Sequence, residues 1–125
     1  MKLMQVLTII CTLSAATAGF AAEEQKPVTK VMLARLAWVQ SISRNLAYSS
    51  YEGIASDAGA LAAQTKKVGE AAPAPFNKEM NLAISELASA MATAAQNRDG
   101  VSAAARFGDV LGRCNTCHAK LRDKP

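Results

Sequence analysis

Near the C-terminus stand Cys114, Asn115, Thr116, Cys117 and His118, and His118 is the only histidine in the 125-residue chain. Two thiols three positions apart share one side of a helix, and the imidazole beside them can turn toward whatever they hold. Several chemistries compete for this spacing. A zinc centre needs about four ligands, and two cysteines with one histidine would need carboxylates or a second chain to complete it. A dithiol oxidoreductase places C-x-x-C at a helix N-terminus in a βαβ setting, where the macrodipole lowers the thiol pKa; here the motif closes a helical pattern instead. A structural disulfide is a third alternative. The order C-x-x-C-H matches c-type haem attachment, in which each thiol reaches one vinyl group and the adjoining imidazole becomes an axial ligand of the iron. The expectation is one haem c, covalent through Cys114 and Cys117, with His118 on the metal.

The elements that must position this motif are helices. Half of the residues are apolar, 19% are charged and only 5% are aromatic. The alanine-heavy remainder is poor in β-branched residues, the composition of helices rather than sheets. Apolar spacing and breakers mark four segments. The first covers residues 28–48, after Pro27, with Val28, Val31, Met32, Val39, Ile42 and Leu46 on one face. The second covers 53–68, with Ile54, Ala58, Leu61, Thr65 and Val68 inward; Gly69 is read as its end, and the prolines at 73 and 75 interrupt any continuous helix. The third covers 77–97, with Met80, Ala83, Ile84, Leu87, Ala90, Met91 and Ala94 at steps of three and four. Asp99 is the expected N-cap of the fourth, which runs to about Leu121. Short connections favour antiparallel neighbours. The fold class expected is all-α, an antiparallel up-down-up-down four-helix bundle with a C-terminal haem motif.

With one histidine, an intramolecular bis-histidine iron is excluded, so the opposite axial position falls to methionine, lysine, water or nothing. In an antiparallel bundle the start of the first helix, the end of the second and the start of the third share the level of the motif. Met91 lies on the order of 20 Å farther up its helix, at about 1.5 Å per residue. Met32 and Met80 remain, each with core packing as the alternative role. Arg35 falls in the middle of the first helix's apolar face, and an unpaired buried charge costs several kcal/mol. Its readings are a pair with a haem propionate, an ion pair with Glu79, or a snorkelling side chain.

At the N-terminus, Lys2, the apolar run 6–13 and the small residues 14–19 have the three-part shape of a secretory signal peptide, too short to span a bilayer. Cleavage is expected after Ala21, leaving 22–125 as one domain in the periplasm, with Cys11 discarded. The mature chain carries 13 basic and 10 acidic side chains, a net +3. This mild, dispersed charge argues against nucleic acid as a partner. The charge is polarised. The motif end collects ten basic residues, among them Lys30, Lys66, Lys67, Lys78, Lys120 and Arg122, against five acidic ones, and the remainder carries a net −2. An acidic redox partner is expected there, with association slowed by salt.

These residues resemble the class II c-type cytochromes, the cytochrome c′ group and its low-spin relatives, whose motif is commonly written C-x-x-C-H-x-x-F-R. Here it reads Cys114, Cys117, His118, Leu121 and Arg122, with leucine in place of the aromatic. The likeness covers the mature chain in layout and its last ten residues in motif; the chain is shorter than the usual member, chiefly in the second helix and its connector. The resemblance implies a four-helix bundle and a monohaem electron carrier rather than an enzyme, with a homodimer as one arrangement. It matches Met32 by position to the sixth ligand of the low-spin members, with Lys30 an approximate match to a basic residue that often precedes that methionine. It carries Arg122 over among the cofactor-binding residues. High-spin members lack the methionine and leave the iron open, which implies the alternative function, binding nitric oxide or carbon monoxide. No distal His and Arg pair for O–O cleavage is visible in the chain, which argues against a peroxidase.

Overall fold

The computed structural model describes residues 26–122, which form four helices: α1 Pro27–Ala47, α2 Tyr51–Ala71, α3 Pro75–Gln96 and α4 Gly100–Arg122. There is no strand among the described residues. The signal segment, its cleavage point, Cys11 and Lys124 lie outside them.

The helix boundaries follow from local chemistry. Pro27 and Pro75 open α1 and α3, where the missing N–H has no intrahelical partner to lose. Lys26, Ala72 and Ala74, each before a proline, have the extended ψ that proline imposes, at 143°, 124° and 126°. Asp99 caps α4 as expected, accepting from the Ser102 backbone N–H at 2.9 Å. Bonds from the Ser102 side chain and backbone hold its carboxyl below the usual range.

The turns that end α1 and α3 are Schellman motifs without glycine. After α1, Ser50 N–H bonds to Asn45 C=O at 2.8 Å and Ser49 N–H to Leu46 C=O at 3.2 Å; after α3, Asp99 and Arg98 repeat the pattern on Ala94 and Ala95. The left-handed residues are Ser49 at φ 55° and Arg98 at φ 56°. A side chain in that region costs roughly 1–2 kcal/mol, more than the ~0.4–1 kcal/mol of unfolded-state entropy that glycine adds. Ser49→Gly is therefore expected to stabilise the chain by about 0.5–1 kcal/mol, read as a rise of a few degrees in melting temperature; an unchanged or lower value would contradict the strain at Ser49.

Gly69 does not end α2, which continues to Ala71. It is buried, and a Cβ there would stand 3.0 Å from the Leu82 side chain and 3.1 Å from that of Asn81. Its smallness serves the approach of α3, a use that a helix-ending glycine imitates in sequence. At Gly53 a Cβ would overlap the end of the Asn45 side chain, which would have to move from its 3.2 Å bond to Asp57 across the α1–α2 contact.

α2 and α3 share the most extensive interface, followed by α3 with α4 and α1 with α2, while α1 and α4 barely touch. The centre is built from Ile54, Ala58, Leu61 and Ala62 of α2 against Ile84, Ala88, Met91 and Ala95 of α3. The alanines let the two backbones approach closely, leaving α1 and α4 to close the sides with few residues: Arg35 and Ile42 from α1, Ala103 and Val110 from α4. Two expected inward positions are exposed: Val28, at 70% in the first turn of α1, and Ala90 on α3. At one end of the molecule the α1–α2 and α3–α4 turns lie together, with the Arg98 guanidinium 5.2 Å above the Tyr51 ring.

Candidate functional site

The inward line of α4 runs through Ala103, Phe107, Val110, Cys114 and Cys117, at steps of four and three, so the two thiols continue the stripe that packs the helix. Cys114 packs against the core, both cysteines are half-buried, and neither is in a disulfide. His118, one position on, is exposed. At the end of the helix Lys120 holds α4 against the start of α3, its Nζ 4.0 Å above the centre of the Phe76 ring. Leu121, the residue in the aromatic's place, is exposed, as is Arg122.

On α1, Arg35 is buried at 9% exposure. Its Nε donates to Gln64 Oε1 of α2 at 2.8 Å and its Nη2 to Asn81 Oδ1 of α3 at 2.6 Å. The amides are themselves oriented: Gln64 Nε2 donates to Val31 C=O at 3.4 Å and Asn81 Nδ2 to Asn77 C=O at 2.7 Å. With their N–H ends occupied, both amides present oxygen to the guanidinium. Among the described residues no carboxylate forms an ion pair with Arg35; the pairs present are Lys66–Glu70 and Arg106–Asp109, both exposed. The Glu79 and snorkelling readings of Arg35 therefore give way to an amide clamp.

The guanidinium lies within electrostatic reach of both thiols. Burial pushes the Cys114 thiol above its ordinary value, with Arg35 pulling it back and Cys117 adding to the rise. Burial likewise pulls Arg35 below its ordinary value, while the charge available on Cys114 and Cys117 acts in the opposite sense.

Helix geometry orders the remaining candidates. At about 100° per residue, the α1 residues bonded toward α2 (Val31 and Asn45) lie on one side of the Arg35–Ile42 line, and Met32, Leu36 and Val39 lie on the other. On α4, Lys120 marks the side toward α3, and Leu111 and His118 fall on the side away from it. These two sets border the sparse α1–α4 seam, where Leu36 is 50% and Leu111 41% exposed. Met32, half-buried, belongs to the seam. Met80 is almost fully buried on α3 and Met91 wholly so.

The donor set fits a haem c: two half-buried thiols on one stripe, an adjoining exposed imidazole, apolar side chains left uncovered along the seam, and a buried cation without a carboxylate. Among the described residues no three of His, Cys, Asp and Glu converge as a metal cluster. Three surface grooves lie elsewhere. Those of about 340 and 460 Å³ run between α3 and α4, and one of about 680 Å³ lies beside the Tyr51–Arg98 contact; none is lined by a cysteine or by His118. No helix among the described residues is long and apolar enough to cross a membrane.

Gln64 and Asn81 are site residues that sequence reasoning missed. Their one signal was Arg35 itself, since a cation on an apolar face requires acceptors from neighbouring helices. No protein-family model, curated protein or solved structure matches this chain.

Proposed function

We propose that the chain is an exported, periplasmic monohaem c-type cytochrome, similar to the class II group, that carries single electrons between redox partner proteins. The observation that supports this most is the continuation of α4's packing stripe into Cys114 and Cys117, with Arg35 buried within electrostatic reach of both. The up-down-up-down sense of the bundle belongs to the same reading; the meeting of the two turns around Tyr51 and Arg98 supports it.

Haem c, when bound, supplies an iron that alternates between ferric and ferrous states. Cys114 and Cys117 hold it by adding sulfur and hydrogen across one vinyl group each, a step that needs no oxidant. His118 gives the iron an imidazole nitrogen and Met32 a thioether, and a methionine ligand favours the reduced state. Arg122 serves a propionate, and Arg35 faces the group from its clamp of two neutral amides. Exposed Lys30, Lys66, Lys67, Lys78 and Lys120 favour an acidic partner at this end.

The second reading is an open iron that binds nitric oxide or carbon monoxide. Leu36 and Val39, apolar and on the same side of α1 as Met32, favour it. Carbon monoxide titration of the reduced protein separates the two. Electron transfer through a Met32-ligated iron predicts a Soret band indifferent to the gas in the wild type and shifted by it in Met32→Ala. A wild type that takes up the gas as readily as Met32→Ala establishes the gas-binding reading instead.

A further inference from the structure

Among the described residues, every buried polar side-chain atom has a hydrogen-bond partner, yet Arg35 remains electrostatically uncompensated. Its partners are two neutral amides from two different helices, and both amides are anchored at their nitrogen ends by Val31 and Asn77 carbonyls. Hydrogen bonding and charge are separable here. The clamp satisfies the guanidinium's geometry and fixes its place between α1, α2 and α3 without cancelling its charge, which a buried arginine retains. An isosteric carboxylate in place of either amide would keep the acceptor toward the guanidinium and neutralise the cation, giving a charge-assisted pair, at the loss of the N–H bond to the Val31 or Asn77 carbonyl.

We propose that Gln64 and Asn81 are positioning residues that hold Arg35 as an unneutralised buried cation opposite the Cys114–Cys117 turn, so that its charge sets the redox equilibrium of the group bound there. This rests on the haem reading. A fixed positive charge in a low-dielectric surround disfavours the oxidised, more positive state of a nearby iron, and its effect is screened little by salt.

The test is spectroelectrochemistry of the purified exported holoprotein, with thermal melting alongside. Asn81→Asp retains the acceptor and adds a counter-charge; Gln64→Glu does the same from α2 and keeps the test alive should Asn81→Asp fold poorly. Arg35→Gln removes the charge outright. All three are expected to move the redox equilibrium toward the oxidised state by about tenfold, equivalent to about 59 mV for one electron. The two acidic variants are expected to do so as folded proteins, the new ion pair offsetting the amide N–H bond that each gives up. A folded Asn81→Asp or Gln64→Glu protein with the wild-type potential overturns the proposal, as does an Arg35→Gln protein whose potential does not move. Failure of the haem reading looks different: the wild type itself carries no covalent absorbing group. In that haem-free protein the uncompensated charge still predicts that the melting temperature of both acidic variants falls relative to the wild type as acid protonates the new carboxylate; a difference that stays constant across that pH range overturns the clamp as well.

Discussion

Serine at both Cys114 and Cys117 is expected to give a protein with no covalently bound absorbing group and with its helices intact. The loss is complete because the hydroxyl of serine is a far weaker nucleophile than a thiol toward a vinyl group, so neither bond forms. The fold survives because both cysteines are half-buried and stand outside the fully buried centre, where Ile42, Ile54, Leu61 and Met91 lie. Exchange of sulfur for oxygen there leaves the α4 stripe of Ala103, Phe107 and Val110 in place. Absorption of the acid-denatured, solvent-extracted protein reads the first part and far-ultraviolet circular dichroism the second. His118→Ala separates attachment from ligation: the thioether bonds need no imidazole, so colour is retained after denaturation while the native spectrum changes. Retention of covalent absorption in the double serine variant would remove the basis of the functional reading.

Met91→Ala is expected to destabilise the protein by about 2–5 kcal/mol, the range for truncating a large buried side chain and leaving a cavity. Met91 has no exposed surface and packs in the α2–α3 centre with Ala88 and Ala95. Its neighbours include alanines, which have no longer side chain with which to fill the gap. Against a total stability of about 5–15 kcal/mol for a domain of this size, the loss leaves little margin. Met32→Ala, at a half-buried seam position, is expected to cost much less in the absence of an iron bond. Urea titrations of the two variants in haem-free form check the contrast. A Met32→Ala cost equal to or above that of Met91→Ala would show that Met32 is a core residue and weaken its assignment as a ligand.

The two methionines also illustrate how far the sequence reaches. Both sit at helical spacing among apolar residues, so periodicity assigns both to an inward face. Burial separates them, because α2 packs closely on α3 around Met91 while α1 and α4 barely meet beside Met32. Val28 makes the same point. It lies on the stripe of α1 and is 70% exposed, since a stripe is buried only where a neighbouring helix reaches it. Gly69 was read as a helix end, whereas its smallness admits Asn81 and Leu82, which are on another helix.

What the amino-acid order by itself determined is local. It set the four helices, with starts at Pro27 and Pro75, the Asp99 cap, and the C-x-x-C-H spacing that puts two thiols and an imidazole on one helical turn. These are properties of a few consecutive residues and their backbone angles. The tertiary structure decided which faces meet: that Arg35 is held by Gln64 and Asn81 and paired with no carboxylate among the described residues, that Met32 borders an open seam and Met80 does not, and that Gly69 admits a neighbouring helix. Each depends on how one helix is rotated and translated against another. That is settled by the packing of many side chains at once, and no short stretch of sequence encodes it.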